Sequence, residues 1–291
     1  MGEMEVLAAQ FEANRGRLRS VAYRMLGSVA EADDAVQEAW LRLSRTDASA
    51  VDNLGGWLTT VVGRISLDML RARKTRGEKP INSEAPIPAA AHATYASSDE
   101  EALLADSVGL ALLVVLEKLT PAERIAFVLH DLFDLSFEEI GPIVDRSATA
   151  TRQLASRARR RVRGVADIPD ADLSRQRTVI DAFLAAARGG DLQGLLAVLD
   201  PNVVFRADQM AVRAGGKPEL LGAANVAQAF LGKAQAARTV LVNGAAGVVV
   251  APNGHLLLVL TVAIRDGKIV NIHAIADRGS LAGADLAILG G

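Results

Sequence analysis

The sequence predicts a multidomain chain in which two all-α domains precede one of α+β class, and three observations carry that reading. Up to about residue 76 the apolar positions recur with helical period, and the same pattern returns between Asp99 and Arg163. Between the two, residues 78–98 (EKPINSEAPIPAAAHATYASS) are rich in proline, alanine and serine and lack helical period, as a linker would. From Pro201 onward the apolar runs shorten and take on the composition of strands. A length of 291 residues gives room for roughly two or three domains. The expected division is 5–76, a linker at 77–98, 99–164, a second linker at 165–174, and 175–291.

Composition narrows the classes of function. Half of the residues are apolar and 23% are charged, which is ordinary for a globular protein in water. There is no cysteine, so disulfides and thiolate metal sites are excluded. The opening MGEMEVLAAQ has no basic run followed by an apolar segment, so no secretory signal is expected. The most apolar stretches, such as His255–Ile264, are too short for a bilayer, and a cytoplasmic protein without membrane contact is expected. A net charge of −2 conceals two basic concentrations, at Arg71–Arg76 and at Arg146–Arg163.

In the first domain, Val36, Ala39, Trp40 and Leu43 form the buried side of a helix over Glu31–Ser44. Asp34, Gln37, Glu38 and Leu41 line its other side, a polar, partly acidic face with one leucine. The next helix, Gly56 to about Arg73, buries Leu58, Val61, Val62, Ile65 and Met69 and offers Thr60, Arg64, Leu67 and Arg71 on the opposite side. Arg73, Lys74 and Arg76 follow, making this helix basic.

The second domain carries the densest signal. Thr120-Pro121-Ala122-Glu123 is a capping box with proline at the first helical position, and Ser136-Phe137-Glu138-Glu139 is another. The helix opened by Ser136 carries Phe137, Ile140 and Ile143 and ends near Asp145-Arg146. Ser147 then caps a third helix, Ala148 to about Val162. A short helix, a tight turn and a longer basic helix make a helix-turn-helix. In the third helix Thr151, Leu154, Ala158 and Val162 share the core side, while Thr149, Arg152, Gln153, Ser156 and Arg160 share the other. Arginine and glutamine can read base edges, and serine, threonine and arginine contact phosphates. Arg157, Arg159, Arg161 and Arg163 extend the positive charge.

The last domain opens with a helix burying Val179, Ile180, Phe183, Leu184 and Ala187, then one capped by Asp191 with Leu192, Leu195, Leu196 and Leu199 as its apolar stripe. The strands VVFRA, TVLV, AGVVVA, HLLLVLTVAI and KIVNIHAIA follow, with hairpin turns at Asn253-Gly254 and Asp266-Gly267, so an antiparallel meander is expected. Arg206, Asp208, His255, His273 and Asp277 are its polar candidates for a pocket, where a carboxylate base could work beside a carbonyl. The domain holds no tyrosine to serve as a phenolic donor, and its histidines and carboxylates lack metal-ligand spacing. No catalytic residue, metal or cofactor is therefore expected.

Two segments resemble extracytoplasmic-function (ECF) sigma factors: residues 11–76, through AYRMLGSVAEADDAVQEAWLRL and GWLTTVVGRISLDMLRARKTR, match region 2, and residues 101–163, through LEKLTPAERIAFVLHDLFDLSFEEIGPIVDRSATATRQLASRARRRVR, match region 4. The tail from 172 on resembles the cone-shaped SnoaL-like (NTF2-like) extension of the SigI and SigJ type. Three motifs of that subgroup are replaced. The linker has no Trp-Leu-Pro-Glu-Pro type motif, RAGGK stands at Arg213–Lys217, and IADRGSL stands at Ile275–Leu281.

The resemblance implies a region 2 helical bundle, a region 4 helix-turn-helix and a regulatory tail. Asp34, Gln37, Glu38 and Leu41 would bind the β′ clamp of core RNA polymerase, with region 4 at the β flap. Thr60, Arg64, Arg71 and Arg73 would hold the melted −10 strand, and Thr149, Arg152, Gln153, Ser156, Arg157 and Arg160 would face the −35 element. A small apolar ligand in the tail would be a further partner. Two other readings stand beside this one: a stand-alone helix-turn-helix repressor with a ligand-sensing domain, and an isomerase-like catalytic tail.

Overall fold

The computed structural model describes residues 3–46, 53–76, 107–164 and 170–289. The linker expected at 77–98 lies outside these residues, as do 165–169 of the second. The chain divides into two compact units, one drawn from Met1–Ile81 and Leu116–Arg161 and the other from Asn82–Val115 and Val162–Gly291.

The first unit begins with α1 (Glu3–Leu26), α2 (Val29–Leu43) and α3 (Leu54–Arg76). Ser28 caps α2 by accepting from the Glu31 amide. Val36, Ala39 and Leu43 of α2 are buried, and Trp40 lies half-buried against Phe11 with ring centroids 5.0 Å apart. After α4 (Ser107–Glu117), the same unit continues with α5 (Pro121–Phe127), a single π-helical turn (Val128–Leu132), α6 (Phe137–Val144) and α7 (Ala148–Arg163). Both expected capping boxes form: Thr120 and Glu123 exchange bonds at α5, and Ser136 and Glu139 do so at α6.

Helix α3 departs from its sequence pattern. Leu67, expected on the polar side, is buried, and so are Thr59 and Ser66, while Val61 and Met69 are only half-buried. The cause is a second packing partner. At Gly63 an added Cβ would lie 3.2 Å from Leu129 Cδ1 and 3.6 Å from Ile143 Cδ1, so the π-helical turn and α6 sit directly on this face. A buried charged group joins α5 to α4 and α1. Arg124 of α5 is buried and donates to the Leu116 carbonyl at 2.8 Å and the Met25 carbonyl at 2.7 Å, at the negative end of α1. Burial pushes the Arg124 guanidinium down to about 10, against the opposing pull of Glu117.

The second unit holds α8 (Asp170–Gly189), α9 (Leu192–Val198), β1 (Leu199–Ala207), α10 (Gln209–Arg213), β2 (Glu219–Leu221), α11 (Ala223–Phe230), β3 (Ala237–Val242), β4 (Ala245–Val250), β5 (Leu258–Arg265), β6 (Lys268–Ile275), α12 (Arg278–Gly283) and β7 (Leu286–Ala287). Ile180, Phe183, Leu184 and Ala187 of α8 are buried with Val203, Phe205, Val248, Leu260 and Ile272 of the sheet. Asp191 caps α9 as expected. The α+β class holds, with one change of topology. The sheet runs β2-β1-β6-β5-β4-β3-β7, and β3 to β6 form the meander, but β1 pairs parallel with β6. The helices after β1 carry the chain away before the meander starts, so β1 closes onto the meander's last strand. The tight hairpin turns are Asn243-Gly244 and Asp266-Gly267, both with two successive positive φ values. Asn253-Gly254 instead belongs to a short 3₁₀ turn over Pro252–Gly254.

Candidate nucleic-acid interface

Helix α6 ends at Asp145, which adopts the left-handed conformation (φ 56°, ψ 49°), and α7 begins three residues later with the Ser147 hydroxyl accepting from the Ala150 amide at 3.2 Å. The turn is tight because Gly141 has no side chain. A Cβ there would meet the Arg146 carbonyl oxygen at 2.7 Å, and the Arg146 amide donates to the Gly141 carbonyl at 3.0 Å. Sequence reasoning missed this glycine, because the close approach of the Arg146 carbonyl is set by the turn that follows and not by helical period.

Within α7, Thr151, Ala155, Ala158 and Val162 are buried, with Leu154 half-buried. Thr149, Arg152, Gln153, Ser156, Arg157 and Arg160 are all exposed and follow one another along a single face. The remaining arginines divide differently. Arg159 pairs with Asp131 and Arg161 with Glu123 at 2.7 Å, so both hold the helix onto its own unit. Arg152 lies over the Phe137 ring, 5.3 Å from its centroid. Glu139 sits below the usual carboxylate range because the Ser136 hydroxyl and amide both donate to it.

On α2, Asp34, Gln37 and Leu41 are exposed; Glu38 is half-buried and bonded to Arg42 at 3.0 Å. On α3, Thr60 is half-buried, while Arg64 and Arg71 are exposed yet engaged. Arg64 donates to the Pro142 carbonyl at 3.4 Å, and Arg71 lies 3.6 Å from the Asp145 carboxylate. Arg73 bonds the Leu26 carbonyl at 3.4 Å and pairs with Glu31, closing the end of α1.

The polar candidates of the second unit make separate contacts at and beyond the ends of β1 and β6. Arg206 and His273 are register partners on adjacent strands, both exposed, and Arg206 pairs with Glu219 at 2.9 Å. Asp208 instead accepts from the amides of Ala211, Ala276 and Asp277 at 2.7–2.8 Å, joining the ends of β1 and β6. Burial alone would raise its pKa, but these amide bonds together lower it. Asp277 caps α12 through the Ser280 amide and hydroxyl, which also lower it. His255 is half-buried beside the 3₁₀ turn. Strand alternation explains the outcome: the residues flanking Arg206 and His273, namely Phe205, Ile272 and Ala274, take the core face. Among the described residues no group of three histidine or acidic side chains could hold a metal ion, and no helix is long and apolar enough to cross a membrane.

A tight helix-turn-helix with an exposed arginine-rich second helix defines a DNA-binding protein. Residues 10–76 match Sigma-70 region 2, and residues 109–162 match Sigma-70, region 4. The chain is 35% identical over 285 residues to the probable ECF RNA polymerase sigma factor SigI of Mycobacterium tuberculosis, covering 97% of each chain. It is likewise 35% identical over 299 residues to the ECF RNA polymerase sigma factor SigJ of the same organism, covering 97% of this chain and 95% of the relative. The crystal structure of M. tuberculosis SigJ aligns with 95% of this chain and 98% of its own, at 32% identity and a TM-score of 0.46. The chain belongs to the ECF sigma factor family of RNA polymerase.

Proposed function

We propose that this chain directs core RNA polymerase, in the cytoplasm, to promoters with −35 and −10 elements, and that residues 5–76, 99–164 and 175–291 serve as its three functional domains. The observation that carries the −35 assignment is the unbroken exposed face of α7 from Thr149 to Arg160. Arg152 and Gln153 suit base edges, and Arg157 and Arg160 suit phosphates or guanine. Asp34, Gln37, Glu38 and Leu41 meet the β′ clamp, and Arg64 and Arg71, with Thr60 and Arg73 beside them, hold the −10 strand. Arg64 and Arg71 have partners on α6 and its turn, so the free factor binds single-stranded −10 DNA weakly until polymerase draws those groups apart. The residues from 175 on regulate these steps and catalyse nothing, since Arg206, Asp208, His273 and Asp277 are spent on sheet and cap contacts or turned outward.

Run-off transcription with core polymerase on a promoter library tests this reading. Initiation at defined starts that depends on the chain is expected, and truncation at Gly164 should change its yield. Tight binding of the free chain to duplex promoter DNA, with no initiation on adding polymerase, would instead establish a repressor.

A further inference from the structure

The Arg152 guanidinium lies over the Phe137 ring, and His130 packs against the same ring. The His130 ring lies with its centroid 3.9 Å from that of Phe137 at an interplanar angle of 31°, and the Arg152 guanidinium lies 5.3 Å from the Phe137 centroid. His130 has a partner of its own: Nδ1 is 2.8 Å from the Leu135 carbonyl, which can only accept, so Nδ1 is the donor in that bond. Phe137 is itself buried at the first position of α6, behind the Ser136 cap. Arg152 is exposed, on the same face of α7 as Thr149, Gln153 and Ser156.

We infer that Phe137, backed by His130, is a positioning residue for Arg152, and that this contact sets the base preference at one −35 position. The inference rests on the −35 reading of α7. A guanidinium reads guanine by two parallel bonds to O6 and N7, which requires its plane to be held. A free arginine loses much side-chain freedom on reaching that geometry. Stacked on a ring it gives up part of that freedom before DNA arrives, and the π face attracts its charge without using any N–H donor. The platform therefore sharpens discrimination at the base Arg152 reads and leaves phosphate contacts elsewhere untouched.

The test uses full-length protein with core polymerase on templates randomised across the −35 element, sequencing those that initiate. Arg152→Ala should erase the preference at one position. Phe137→Leu should lower the preference at that same position roughly two- to fivefold, the size of an exposed cation–π contact, with other positions unchanged. Phe137→Tyr, which keeps the ring, should restore it, and Phe137→Leu added to Arg152→Ala should change nothing further there. Phe137→Met provides a second ringless variant should the leucine form fail to fold. Equal weakening at every position, no change at the Arg152 position, or no preference erased by Arg152→Ala would each overturn the inference while leaving the sigma reading intact. Failure of the wild-type holoenzyme to enrich any −35 sequence would overturn the −35 reading and the inference with it.

Discussion

Helices α3 and α7 look alike as sequences and differ as surfaces. Each carries an apolar stripe and a run of arginines. In α7 one side is buried and the other presents six consecutive recognition candidates, from Thr149 to Arg160. In α3 both sides are occupied: Leu58 and Val62 pack in the three-helix bundle, while Gly63 and Leu67 are buried on a second face beneath the π-helical turn and α6. The difference lies in small residues. Glycine, serine and threonine at 63, 66 and 59 let a second layer approach, whereas arginine and glutamine at the corresponding side of α7 hold it off. Charge marks a helix that can bind nucleic acid; side-chain size decides whether the chain itself covers it.

The largest effect should come from breaking the cover over α3. Gly63→Leu places a branched side chain against Leu129 and Ile143 and should destabilise the first unit by about 2–3 kcal/mol. The chain's two tryptophans, Trp40 and Trp57, lie on α2 and α3, so fluorescence-detected urea unfolding reports on this unit. The same substitution should raise binding of single-stranded −10 DNA by the free protein, measured by anisotropy; unchanged binding would show that the contacts of Arg64 and Arg71 do not mask them.

A middling effect separates the arginines of α7 from one another. Arg160→Ala should weaken promoter binding by the holoenzyme by about 1–3 kcal/mol. Arg159→Ala removes only the pair with Asp131 and should cost less than about 1 kcal/mol of stability with base preference unchanged. Equal losses of promoter binding from the two would erase the distinction between exposed and tethered arginines. The smallest effect concerns the cap that seats α6 beneath α7. Because its folded pKa is depressed, Glu139 stabilises above the unfolded carboxylate range, and that contribution disappears as pH falls through the folded value. Glu139→Ala should therefore cost about 0.5–1 kcal/mol near neutral pH and almost nothing in strong acid, read from urea midpoints at each pH.

Much of this was legible beforehand. Ser136, Ser147, Thr120 and Asp191 announced their helices because a capping side chain acts within its own turn. The roll of α7 followed from Thr151, Ala158 and Val162 because period alone fixes which residues share a face. Leu67 was misread for the complementary reason: periodicity reveals one buried stripe, and the second depended on helices far along the chain. The roles of Asp208 and the β1–β6 pairing were likewise hidden, since each joins residues nearly seventy positions apart, at separations of 68 and 69 for the Asp208 bonds.

That pairing also bears on timing during synthesis. A hairpin can close as soon as its second strand emerges, but β1 must wait for β6, which leaves the ribosome as the last strand of the meander. Until then Asp208 has no Ala276 or Asp277 amide to accept from, and β1 presents an unpaired edge. The helices of regions 2 and 4 precede the sheet in the chain and emerge earlier. A ribosome that stalls before Lys268 would thus release a chain carrying α1 to α7 without a finished sheet.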